Sequence, residues 1–263
     1  LTGFQNLDPY YTVQRGEWTL VTGIPGHGKS TMLDQLIVNL VKRNQWKIGI
    51  FSPENNPHAV HFGKLCAKWV EKPLRGSARG VMTNDEYEGG LKEINEHFFK
   101  YSAEECSLDT ILHECRQLVY RHGVDAFVID PWNMVDHEYD YRMPETEYIS
   151  RSINKIRKFC ADFNVHLWLV AHPTKLVPRT RKVDGVEQEY YLPPKPYSIH
   201  GSAHWMNKGD NCFTVHKSLD LDRITEIHID KIRQQSDTGK LGKCYLYFRK
   251  DDETFHDSSE MGA

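Results

Sequence analysis

The chain has 263 residues, 39% of them hydrophobic and 26% charged. These are ordinary values for a globular chain long enough to build its own core. A formal net charge of −3 excludes a basic polyelectrolyte, so any nucleic-acid contact must be local. Cys66, Cys106, Cys115, Cys160, Cys212 and Cys244 form no C-x-x-C pair and read as reduced thiols. His58 and His61 form H-x-x-H without the neighbouring ligands a zinc site needs. No apolar run is long enough to span a membrane, and the first residues are no signal peptide. A cytoplasmic location is expected, or an organellar one after removal of a transit peptide. The opening "LTGFQNLDPYY" lacks an initiator Met, as a piece of a longer chain would.

In chain order, "EWTLVTG" is a short apolar run read as a strand. "STMLDQLIVNLVKRN" follows with Met32, Leu33, Leu36, Ile37, Leu40 and Val41 on one helical face. "KIGIFS" is a strand buried on both faces, and a helix is expected over His58 to Val70. Thr83 to Glu86, "TNDE", matches a capping box opening a helix that reaches about Phe98. Ser107 as N-cap and Gly123 past the end bracket another helix. "AFVID" is a third buried strand, "ETEYISRSINKIRKFCADFN" a long amphipathic helix and "VHLWLVA" a fourth strand. Such alternation predicts a parallel sheet with helical crossovers. His172 to Tyr197 is charged and Pro-containing with little periodicity, hence a functional loop or disorder. "NCFTVHK", "RITEIHIDKIR" and "KCYLYFRK" then alternate like antiparallel strands, the last turn supplied by Ser236 to Gly239. The expectation is one α/β domain over residues 1–256 with a C-terminal antiparallel extension, and a flexible tail over 257–263.

Between the first strand and first helix, Gly23, Gly28, Lys29 and Ser30 meet the pattern G-x-x-x-x-G-K-[ST]. Glycines let backbone N–H groups turn inward around phosphates, and the helix N-terminus adds its positive end. Gly23, Pro25, Gly26, His27, Gly28, Lys29, Ser30 and Thr31 are therefore the expected nucleotide-binding loop. Lys29 would reach the β- and γ-phosphates and the Ser30 hydroxyl would bind Mg²⁺. Asp130 ends the apolar strand "AFVID", where a carboxylate would share that metal. Glu54, just beyond the second strand, stands where the strand ends of an open α/β sheet face a ligand and could polarise a water. His172 closes "LVAHP". It is either a γ-phosphate sensor or a structural histidine.

With these pieces in order, the sequence resembles the helicase domain of the hexameric replicative helicases: DnaB, the phage primase–helicases and mitochondrial Twinkle. "TGIPGHGKS", "IFSPE", "VIDPWN", "LVAHP", "GSAHWMNKGDN" and "KIRQQSDTG" occur in that family's order and rough spacing. The resemblance implies a RecA-type P-loop fold assembled into a six-membered ring. ATP or another NTP or dNTP would bind with Mg²⁺ between neighbours, and single-stranded DNA would thread the centre. It implies 5′→3′ unwinding, and primase or polymerase partners. It matches Lys231 and Arg233 to a basic pair that reaches the neighbour's γ-phosphate; without it, K-x-R on a strand is an exposed face. It makes His200, Gly201, Ser202 and Lys208 DNA-binding, although His200 stands where the family commonly has arginine. Trp205 either stacks on a base or fills the core. Lys217 and Phe248 would flank the nucleotide base, with a core role equally open for Phe248. The N-terminal primase-like domain and linker helix of the family have no counterpart before Leu1. The mitochondrial branch makes the matrix the organellar option. Competing readings are a RecA-like recombinase, a clock-type ATPase, a small-molecule kinase and a non-catalytic nucleotide-binding scaffold. "KIRQQSDTG" has no role in a kinase, and Lys29, Ser30, Glu54 and Asp130 together argue against a scaffold.

Overall fold

A computed structural model describes residues 1–75, 80–101, 106–137, 143–174, 176–183, 185–199, 201 and 203–258. Strands β1 (Trp18–Thr22), β2 (Ile48–Phe51), β4 (Ala126–Ile129) and β5 (His166–Val170) are buried at every position. That is why they read as unbroken apolar runs and lie inside a parallel sheet. β3 (Phe98–Tyr101) was not expected. It pairs parallel to β2 at the edge, because the capped helix ends at His97. β8 (Asn211–Lys217) pairs parallel to β1 and antiparallel to β9 (Ile224–Ile232), so the antiparallel extension grows directly out of the parallel sheet. β10 (Gly242–Arg249) and an unforeseen β11 (Thr254–Asp257) complete a nine-stranded sheet in the order β11-β10-β9-β8-β1-β5-β4-β2-β3.

Helices cover both faces. α1 (Lys29–Asn44), α2 (His58–Val70) and α3 (Asn84–His97) pack Leu36, Ile37, Leu65 and Ile94 over one face. α4 (Leu108–His122) and α5 (Glu145–Phe163) pack Ile111, Ile153 and Ile156 over the other. The predicted capping box is present: the Glu86 N–H donates to Thr83 Oγ1 at 3.2 Å, and the Thr83 N–H to Glu86 Oε2 at 2.9 Å. Ser107 caps α4, whose N-cap oxygen accepts the Thr110 N–H at 3.2 Å.

Within the segment expected to be a loop, β6 (Arg179–Val183) and β7 (Val186–Tyr190) form an antiparallel hairpin. Its ends converge where Thr174 N–H donates to Ser198 O. A short helix, α6 (His204–Lys208), leads into β8. The N-terminal residues clasp the extension: the N–H groups of Gln5 and Asn6 donate to the Asp257 carboxylate, each at 2.8 Å. The ordered sheet therefore runs one residue past the expected domain end.

Candidate nucleotide-binding site

The loop after β1 is shaped by backbone constraints that only glycine meets. Gly23 has φ 147°, and a Cβ there would sit 2.2 Å from Val215 O on β8. Gly28 takes a left-handed conformation (φ 87°) as the N-cap of α1, where a side chain would be strained. β8 braces the loop a second time, since the Lys217 N–H donates to His27 Nδ1 at 3.0 Å. Burial, together with His216, Lys29 and Lys217, pushes the His27 pKa down to about 4. The ring is neutral at pH 7 and free to accept.

Lys29 is buried, and its Nζ donates to Gly23 O at 2.9 Å and Ile24 O at 3.0 Å. Burial lowers its pKa to about 8, opposed by Asp130 and Glu54, so it stays cationic at neutral pH. Asp130 follows β4, with its N–H on Phe51 O at 2.9 Å. Burial pushes its carboxyl up to about 6, a bond from the Ser30 hydroxyl pulls it down, and Asp34 and Glu54 add repulsion. A buried, destabilised carboxylate bonded to a serine hydroxyl is the hard oxygen pair that suits Mg²⁺. No cluster of three or more metal-ligating side chains exists among the described residues. Mg²⁺ usually takes one or two carboxylates and leaves other positions to water and substrate phosphates, a set that Asp130 with Ser30 would meet. His61 belongs to a different contact, its Nε2 3.1 Å from Asp34 Oδ1.

Glu54 is exposed in the turn after β2. His172 follows β5, anchored because Thr22 Oγ1 donates to Ala171 O at 2.8 Å. Its Nδ1 is buried without a hydrogen-bond partner. Burial and Lys29 lower its pKa, with Glu54 opposing. Lys29, Ser30, Asp130, Glu54 and His172 thus gather at the carboxyl ends of β1, β2, β4 and β5.

Beside them opens a cavity of about 270 Å³ lined by His27, Thr31, Lys217, Arg223, Phe248 and Phe255, among others. Lys217 and Phe248 therefore line one cavity with residues of the loop. Phe248 also packs on Phe255, with ring centroids 5.0 Å apart, so one ring is both wall and core.

The basic pair lies elsewhere. β8 runs parallel to β1, and Asn211 at its start is paired with Ile232. Lys231 and Arg233 are consequently level with the beginning of β1, at the sheet end opposite the phosphate loop. Lys231 Nζ donates to Met206 O at 2.7 Å and Asn207 O at 2.8 Å. Arg233 Nη1 is 3.0 Å from Asp210 Oδ1. Of the expected DNA residues, His200 and Ser202 lie outside the described residues. Gly201 (φ 89°) is pressed against α5, where a Cβ would meet Ile149 at 2.3 Å. Lys208 is engaged within the chain, its Nζ donating to Ser150 Oγ at 2.6 Å and Asn154 Oδ1 at 3.2 Å. Trp205 is fully buried and packs edge-on to Trp132 at 5.4 Å, which settles it as core.

Residues 1–170 match the family model of the DnaB-like helicase C-terminal domain. The chain belongs to this family. Among curated relatives, it is 36% identical over 269 residues to the Twinkle homolog protein, chloroplastic/mitochondrial, of Arabidopsis thaliana, covering 98% of this chain and 36% of that protein. It is 26% identical over 162 residues to a probable plasmid replicative DNA helicase of Chlamydia psittaci, covering 59% of this chain and 35% of that one. The chain thus spans about a third of the length of these relatives. Among solved structures, an ATPase domain matches with a TM-score of 0.76 at 17% identity, over 98% of this chain and 90% of that one. A DnaB-like replicative helicase, solved to describe its interactions with primase, matches with the same score and identity over 98% and 63%. At that identity the likeness establishes the fold, which is RecA-type.

The DnaB-like match covers Lys29, Ser30, Glu54 and Asp130 and stops before His172. The Twinkle homologue extends the likeness across nearly the whole chain. Sequence reading overlooked Arg223 and Phe255 in the cavity wall. Arg223 sits at positive φ (60°) in the turn before β9, and Phe255 lies on the strand that was not foreseen. The run "SLDLDR" after β8 was the available signal for that turn.

Proposed function

We propose that this domain is the motor of an NTP-driven ring translocase that unwinds duplex DNA in the 5′→3′ direction. The observation that carries the reading is the division of the catalytic groups. Lys29, Ser30, Glu54, Asp130 and His172 stand at one end of the sheet. Lys231 and Arg233 stand at the other, beyond reach of their own phosphate loop. A complete site then needs a second copy to supply the basic pair, and a head-to-tail interface whose rotation closes makes a ring; the family resemblance implies six members. Membership of the DnaB-like family supports DNA as the track, ahead of a recombinase, clock ATPase or kinase.

Within each site, Lys29 exchanges its two loop carbonyls for the β- and γ-phosphates of ATP or another NTP or dNTP. Glu54 orients the attacking water, and the unpartnered nitrogen of His172 faces the terminal phosphate. Arg233 of the next subunit offsets charge on the transferred group. Mg²⁺, held by Ser30 and Asp130, supplies charge neutralisation at the phosphates when bound. Lys217, Phe248 and Arg223 flank the base. For Lys208 to meet a single strand it would have to exchange its contacts with Ser150 and Asn154 for DNA phosphates. The Twinkle likeness supports an organellar setting, the mitochondrial matrix included, and the primase-linked neighbour supports a primase partner. The deciding experiment is NTP hydrolysis by the assembled protein with and without single-stranded DNA. Several-fold stimulation is expected; hydrolysis indifferent to DNA overturns the reading.

A further inference from the structure

Arg233 does not project freely from its end of the sheet. Its partner Asp210 is 2% exposed. The second Asp210 oxygen accepts the Trp18 N–H at 3.2 Å, and Arg157 on α5 stands 3.7 Å from the first. Glu17 is buried beside them: one oxygen takes the Asn211 amide at 2.9 Å, and the other has no partner. Burial raises both carboxyls, and Arg233 opposes the rise at each. The guanidinium, itself 31% exposed, therefore sits at the mouth of a buried anionic pocket. That pocket is continuous with α6, on which the expected DNA residue Lys208 lies, because only Gly209 separates α6 from Asp210 and Lys231 holds the carbonyls of Met206 and Asn207. α6 itself rests on α5 through Lys208.

We propose that Asp210 is a positioning residue that parks Arg233 away from the neighbouring subunit's phosphates until single-stranded DNA, displacing α6, releases it. The proposal rests on the ring reading above. Arg233 meets Asp210 through Nη1 at 3.0 Å, and in the proposal the guanidinium swings off this contact to present its fork of donors to the neighbour's phosphate. Withdrawing it would leave Asp210 a buried charge, which is strongly unfavourable when no cation remains. Arg157, more than half exposed and already adjacent, can close on Asp210 as Arg233 departs, so the exchange stays within reach of a modest push from DNA. Movement of α6 acts on both basic residues together: it shifts the carbonyls that hold Lys231 and the carboxylate that holds Arg233.

Asp210→Asn tests this, since the amide oxygen can still accept the Trp18 N–H while the charge that holds Arg233 is gone. In the assembled protein, DNA-free hydrolysis is expected to rise about tenfold while the DNA-stimulated kcat and the nucleotide KM stay near wild type, so the stimulation ratio collapses. Adding Asp210→Asn to Arg233→Ala should change nothing further. An unchanged ratio in folded rings overturns the proposal. So does an equal fall in both rates, which marks a purely structural role. If wild type itself lacks DNA stimulation, the translocase reading fails and takes the proposal with it; a stimulated wild type with an unaltered Asp210→Asn ratio sinks the proposal alone. Should Asp210→Asn not assemble, Arg157→Gln at its exposed position removes the replacement cation. The stimulated kcat is then expected to fall about threefold at constant KM, and wild-type turnover overturns the idea.

Discussion

Mixing two inactive variants tests whether the site is shared. Lys29→Ala removes the phosphate-binding ammonium and leaves Arg233 intact; Arg233→Ala does the reverse. β1 has five residues, so its two ends are roughly 13 Å apart at the usual rise, and an arginine level with one end cannot touch phosphates at the other. Loss of an arginine finger costs about 10³ to 10⁵ in rate, or about 4–7 kcal/mol of transition-state stabilisation, so each variant alone should be silent. In a one-to-one mixture an interface is complete when an Arg233→Ala subunit supplies the loop and a Lys29→Ala subunit supplies the guanidinium. Random assembly makes that roughly a quarter of head-to-tail interfaces, against none if Arg233 acts on its own loop. Steady-state NTP hydrolysis after subunit exchange, with mixed rings verified by native mass spectrometry, reads the difference. Activity no greater than the sum of the parents, in rings shown to be mixed, would refute the shared site.

Glu54→Gln should keep nucleotide affinity and lose DNA-stimulated hydrolysis by about 10² or more, the scale of a general base; hydrolysis at the wild-type rate would remove Glu54 from the mechanism. Asp130→Asn should abolish hydrolysis yet stabilise the nucleotide-free protein. The Asp130 carboxyl lies at about 6 in the fold against an ordinary value of 3.8, so the folded state binds a proton the unfolded state has released. Its contribution to stability therefore falls as pH rises from about 4 to about 6, by up to about 3 kcal/mol. Thermal melts should place Asp130→Asn above wild type at pH 8, with the gap closing as pH falls through that window; a constant gap from pH 4 to pH 8 would contradict a perturbed Asp130.

The parts of the site carried by local constraint were legible in the sequence. Gly23 and Gly28 are required by backbone geometry, and Asp130 ends a strand buried on both faces, so each leaves a pattern within a few neighbours. The base cavity is different. His27, Lys217, Arg223, Phe248 and Phe255 come from separate segments joined by the β8–β11 extension, and two of them reached the candidate list through family resemblance alone. β3 and β11 were missed because "FFKY" and "TFHD" lack the unbroken apolar run that marks the equally short β2 and β4. The β6–β7 hairpin hid for another reason. Arg179, Lys182, Glu187 and Glu189 are exposed, so among the described side chains no buried face imprints an apolar alternation. Trp205 shows the converse limit: an aromatic in a DNA-loop motif carries no mark that distinguishes a stacking platform from a core plug.

The placement of Lys29 and Arg233 at opposite ends of one sheet also limits which assemblies can work. A two-fold dimer can satisfy both ends only where one shared face brings each phosphate loop against the partner's guanidinium reciprocally. An open chain of subunits always terminates in one unused phosphate loop and one unused guanidinium. Closure is the arrangement that leaves no such defect. Hydrolysis per subunit would then act as a gauge of closure, rising more steeply than protein concentration and levelling off once circles outnumber arcs.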